Sequence, residues 1–182
     1  MKPGVKYGLI FSAIWVIYKI VLFQLDLGQH ELIYGVFGNL LLILLAIFFT
    51  VYEVTQKREK ESPMGFLSDV KNGMQSVGVY SLVVIGFVLV QYTIIEPDYL
   101  ENRVNAIMAE AEKQDYEEEQ RKNSMLKDVS RQEYLEKARK DHEAINSLKV
   151  IVPFYLIGMM FIGMLYSFIV TLLNRRVWSH FQ

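Results

Sequence analysis

The fold class this sequence predicts is all-α: an integral membrane four-helix bundle with an extended charged helical hairpin between spans 3 and 4. Three observations predict it. Apolar residues gather into four blocks of about twenty, the length that crosses a ~30 Å hydrocarbon core at ~1.5 Å per residue. The stretch Glu96 to Lys149 is the opposite, holding 24 of the chain's 39 Asp, Glu, Lys and Arg residues. The remaining polar segments alternate in basic content, which selects one threading through a bilayer. An apolar fraction of 52% looks ordinary only because it averages these two populations.

The first block runs from Tyr7 to Leu25 behind Lys2 and Lys6, and one charge, Lys19, interrupts it. It is longer than a signal-peptide core, and Asp26-Leu27-Gly28-Gln29 offers no small-x-small cleavage site, so it is expected to be a retained span. Gly28 marks a tight turn. The second block is Leu32 to Val54, and the short connection makes the two spans antiparallel neighbours. A polar loop with Lys57, Arg58 and Lys60 follows. Ser62-Pro63 reads as an N-cap with proline at the first helical position. Phe66, Leu67, Val70 and Met74 fall on one helical face, with Asp69, Lys71 and Asn72 away from it. The chain becomes fully apolar from Val77, which places the third span at about 73–95.

The insert, 96–149, opens with Pro97, which kinks or restarts the helix. Leu100, Val104, Ile107 and Ala111 recur at helical spacing. The pattern dissolves into charge around Asp115 to Asn123. Ser130-Arg131-Gln132-Glu133 reads as a capping box opening a second helix, with Tyr134, Leu135, Ala138, Ile145 and Leu148 as a weak apolar stripe. The expected form is a helical hairpin turning near Lys122 to Ser130. The last block, Val150 to Leu173, carries Pro153 near its start and is stopped by Asn174-Arg175-Arg176. Trp178 beyond it suits an interfacial anchor.

Lys2, Lys6, Lys57, Arg58, Lys60, Lys71, Arg175 and Arg176 all fall on one side of a four-span protein, whereas 26–31 has no Lys or Arg. The positive-inside rule then makes both termini cytoplasmic and the insert periplasmic, in a bacterial inner membrane. The basic residues could also touch anionic lipid, although topology alone accounts for them.

Two faces of small residues stand out. Gly4, Gly8 and Ser12 recur every four residues in the first span, and Gly163, Ser167 and Thr171 do so in the last. Such faces let backbones approach closely in lipid. They suggest contact between spans one and four, a homodimer, or docking of a partner's helix.

Chemistry-bearing residues are few. Lys19, Asn39 and Gln91 each lie about 8–10 Å inside the outer edge of a span. One reading is an outward-facing polar site; the plainer one is a snorkelling lysine with interhelical hydrogen bonds. Asp141-His142-Glu143 cannot converge on one ion, because adjacent helical residues point apart. His30 is a loop residue and His180 lies in the tail. The absence of cysteine excludes disulfides and thiolate chemistry. No phosphate-binding loop, dinucleotide fingerprint or nucleophile elbow occurs. A net charge of −1 gives no reason to expect a nucleic-acid partner.

Lys6-Tyr7-Gly8-Leu9-Ile10 entering the first span, Phe66 to Gly73 leading into the third, Glu96-Pro97-Asp98-Tyr99-Leu100 after it, and the charged insert together resemble a family of uncharacterised four-span inner-membrane proteins, a domain of unknown function common in the Bacteroidetes. Met64-Gly65-Phe66-Leu67-Ser68 only approximates the glycine-rich Ser-Phe-Gly-Lys type of segment in that family. The resemblance implies topology and a diderm inner membrane. It implies no activity and no site residues.

The expected function is non-enzymatic and free of metal and cofactor. The chain would serve as an accessory or assembly subunit of a larger membrane or envelope complex. It would contact the lipid bilayer, and membrane-protein partners or itself. The alternative is a small oligomeric transporter or channel built on Lys19, Asn39 and Gln91.

Overall fold

The computed structural model describes residues 1–25, 31–57, 65–113, 116–122 and 129–180. Among them the elements are α1 (Pro3–Gln24), α2 (Glu31–Gln56), α3 (Phe66–Val90), a π-helical turn (Gln91–Ile95), α4 (Tyr99–Ala111), α5 (Tyr116–Lys122), α6 (Arg131–Ile145) and α7 (Leu148–His180). Among the described residues, four helices are long and apolar enough to cross a membrane: Pro3–Gln24, Tyr34–Gln56, Phe66–Ile95 and Leu148–Arg176. The Gly28 turn and the Ser62-Pro63 helix start lie outside the described residues, as does the Trp178 side chain.

The chain forms two compact units: residues 1–87 with 155–182, and residues 88–154. In the first, α1 and α2 are antiparallel. The Tyr18 hydroxyl donates to the Tyr34 carbonyl at 2.9 Å near one end, and Lys6 meets Glu53 at 2.9 Å near the other. Gly38 leaves the room that the Tyr18 ring occupies.

The third span is the hub. Asp69, Ser76, Val77, Tyr80, Ser81 and Val84 are all buried on α3. Gly4 and Gly8 of α1 lie against Asn72, Gln75, Ser76 and Val79 of α3, with the two helices parallel. A Cβ on Gly8 would stand 2.8 Å from the Ser76 carbonyl oxygen, so the backbones are in direct contact there. Trp15 continues the line, edge-on to Phe87 at 5.8 Å. On another side, α7 runs antiparallel to α3. Val77 fills the space a Gly163 side chain would need, and Ser167 does the same opposite Gly73. Ile47 of α2 also reaches Gly73.

The sequence left open what the two small faces meet; Gly4 and Gly8 of one, and Gly163 and Ser167 of the other, lie against α3. The physical reason is that α3 carries its own small residues, Gly73 and Ser76, where both neighbours approach. In lipid, helix association depends on such close packing, because burial of apolar area supplies little drive.

In the second unit the π turn ends on Glu96, whose N–H bonds the Gln91 carbonyl at 2.7 Å. Glu96 has φ −133° and ψ 64°, so the helix breaks there and restarts at Tyr99 after Pro97. Val104 and Met108 form the buried side of α4. The Ser130 hydroxyl accepts from Glu133 N at 3.2 Å, the capping bond expected from the sequence. Arg139 donates to the Asn105 side chain at 3.1 Å and Arg131 to the Glu112 carbonyl at 2.6 Å, which pair α6 with α4.

One local expectation needs correction here: Ile145 is exposed rather than part of an apolar stripe. In the charged stretch, α5 is anchored where Tyr116 and Gln120 both donate to the Val129 carbonyl. Helix α7 runs on past the end of its apolar run, through Asn174-Arg175-Arg176.

Gly8→Ala should lower the stability of the detergent-solubilised protein by about 1–3 kcal/mol, the usual cost of overpacking. Gly86→Ala, which would meet nothing within 4 Å, should leave it unchanged or raise it. Thermal melts of the two variants beside the parent check both outcomes.

Candidate functional site

Polar side chains of the first unit concentrate at the end where α1 and α3 begin and α2 and α7 finish. Asp69 stands in the first turn of α3 and is only 1% exposed. Arg175 donates to its Oδ2 from Nε at 3.0 Å and from Nη2 at 2.9 Å. The guanidinium also lies over the Phe66 ring at 5.8 Å. A carboxylate at a helix start and a cation near a helix end each complement the backbone dipole. Beside this pair, Asn174 donates to the Thr55 hydroxyl at 2.8 Å, joining α7 to α2. Glu53 of α2 accepts from Lys6 of α1 at 2.9 Å and from Lys57 at 2.6 Å.

The sequence placed Asp69 on the polar side of α3. The structure places it on the packed side, one turn before Gly73, while Leu67 is well exposed. The available signal was the Asp69, Gly73, Val77 spacing of four. In a membrane helix the small residue, rather than the large apolar one, marks the face that meets other helices.

The three intramembrane polar residues each have a described neighbour. Asn39 accepts a hydrogen bond from the Tyr80 hydroxyl at 2.7 Å, so its carbonyl binds α2 to α3. Lys19 is 8% exposed, with its ammonium 5.9 Å from the Trp15 ring centre. Gln91 belongs to the second unit, where it donates to Glu96 at 2.7 Å. Several small polar groups in the first unit, Ser81 Oγ, Ser167 Oγ, Thr171 Oγ1 and Trp15 Nε1, are buried without a protein hydrogen-bond partner. For Ser167 the size of the side chain explains the position, since it sits opposite Gly73.

The second unit carries exposed charge. Glu117 and Arg121 approach to 3.6 Å, and Arg139 and Glu143 to 3.8 Å. Lys140 donates to Glu136 at 2.7 Å and holds its carboxyl below the ordinary carboxylate range. Any stabilisation from that lowered acid is present at neutral pH and fades as pH falls through the lowered range. The pair is exposed, so its contribution is small. Asp141, His142 and Glu143 lie along α6, and no group of three or more metal-ligating side chains converges among the described residues.

Four lipid-length helices, three of them packed around α3 and all tied at one end by polar bonds, define a multi-pass helical membrane protein. The chain belongs to the family described as protein of unknown function (DUF4199), whose pattern matches residues 6–176. No curated protein and no solved structure matches it.

Asp69→Asn should destabilise the protein by on the order of 2–3 kcal/mol, short of the full 3–5 for a buried pair because Arg175 remains 35% exposed. Exchanging both residues for apolar ones of similar size should recover most of the loss. Asn39→Leu should cost about 1–3 kcal/mol by leaving the buried Tyr80 hydroxyl unpaired. Denaturant titrations of the single and double variants would measure these costs.

Proposed function

We propose that this protein is a non-enzymatic membrane subunit whose four spans hold the 96–149 hairpin for contact with other proteins of the envelope. The observation that carries this reading is the state of α6. It has 15 residues and buries none of them. An isolated helix of that length is marginal in water, and most helical stability comes from packing. Arg139 and Arg131 tie α6 to α4, and Tyr134 meets Tyr116 of α5 at 5.4 Å, yet none of the residues of α6 is buried. A partner laid along its surface would supply the missing burial.

The transporter alternative finds less support. Asn39 is engaged by Tyr80, and Lys19 is packed beside Trp15. The charge distribution favours cytoplasmic termini and a periplasmic hairpin in a bacterial inner membrane. That threading puts α6 where envelope proteins could reach it.

Photo-crosslinking residues placed at Glu133 and Lys137 should capture a second polypeptide in intact cells. Recovery of only lone monomers would end the reading. A single cysteine at Lys137 should react with an impermeant thiol reagent in spheroplasts while one at Lys2 does not, and the reverse pattern would invert the topology.

A further inference from the structure

Where α1 begins and α2 ends, a stack of aromatic rings lies directly beneath a group of cations. Tyr7 and Phe11 of α1 each stack on Phe49 of α2 with centroids 5.7 Å apart. Phe48 meets Phe49 edge-on at 5.5 Å and stacks on Tyr52 at 6.2 Å. Phe48, Phe49 and Tyr52 remain 39–45% exposed on a helix that faces lipid. Above the rings, Lys6 sits over Tyr7 at 4.6 Å, and Gln56 donates to the Tyr52 hydroxyl at 2.6 Å. Lys6 and Lys57 share a single carboxylate, Glu53. Lys2, also exposed, stands one turn nearer the start of α1. These two helix ends therefore carry Lys2, Lys6 and Lys57 against one acid among the described residues.

We propose that this α1–α2 face binds an anionic phospholipid, with the phosphate held by Lys57 and Lys2 and the acyl chains laid along the ring stack. Topology accounts for basic residues at this end. It does not account for five aromatic side chains gathered under them on the same two helices. Glu53, shared by Lys57 at 2.6 Å and Lys6 at 2.9 Å, offsets one of the three positive charges, which leaves a net positive rim for a phosphate diester. The rings beneath supply an apolar surface, with Phe48, Phe49 and Tyr52 each partly exposed. A soluble phosphate would use only the rim, whereas a lipid uses both parts.

A lysine near the membrane surface favours anionic lipid by about fivefold, so Lys2 and Lys57 together predict an enrichment of roughly 25-fold. The test uses the full chain extracted from phosphatidylcholine nanodiscs containing a minor fraction of phosphatidylglycerol, with retained lipid counted by native mass spectrometry. Phosphatidylglycerol should be enriched over its bulk fraction, and Lys57→Gln and Lys2→Gln should each reduce the enrichment about fivefold. Lys113→Gln, in the hairpin, should not. Phe49→Ala should reduce retention of both lipids. Equal retention of the two lipids, or an equal loss with Lys113→Gln, would overturn the proposal. So would complete displacement of phosphatidylglycerol by inorganic phosphate, which would make the rim a simple anion site. The Lys2 variant keeps the test open if Lys57→Gln, which touches the Glu53 pair, fails to fold.

Discussion

Hydrocarbon offers two apolar helices no reason to prefer each other over lipid, and the membrane unit is built around that constraint. Its helices associate where backbones can come close, and close approach requires small side chains. Gly4 and Gly8 bring α1 onto α3, and Gly73, facing Ser167 and Ile47, brings α7 and α2 onto it. The third span is central because it offers small residues on more than one face. Dispersion contacts at that range, and the short polar bonds they permit, take the place of the hydrophobic effect of a water-soluble core.

Polar chemistry is placed where it can act on that packing. Asp69 with Arg175, Thr55 with Asn174, and Glu53 with Lys6 tie all four spans together at one end. Deeper in, the Tyr80 hydroxyl bonding Asn39 fixes the level of α2 against α3. These bonds set register, a quantity that smooth apolar surfaces specify poorly. Asn39, one of the intramembrane polar residues the sequence singled out, is among those that hold the bundle in one alignment.

Much of this was legible in the sequence. Block length and charge located the four spans, Ser130 and Glu133 marked the start of α6, and Pro97 marked the restart after the third span. Residue type at a spacing of four identified Gly4, Gly8, Gly163 and Ser167 as packing residues. What spacing could not supply was the identity of the facing helix, because every small face is compatible with every other. The burial of Asp69 was hidden for a related reason. A polar residue near a span end reads as solvated until the Arg175 side chain, 106 positions further along, is known to reach it. For the candidate site, depth alone grouped Lys19 with Asn39, and depth does not name neighbours such as Trp15 for the first and Tyr80 for the second.

The parallel seating of α1 on α3 has a consequence for how the protein is made. A ribosome delivers α1 and α2 first, and these two can pair as soon as both are inserted. The groove over Gly4 and Gly8 must then wait, filled only by lipid or by the insertion machinery, until roughly twenty further residues have been synthesised and α3 arrives. Because Arg175 lies in α7, its bond to Asp69 can close only once that helix has joined the bundle.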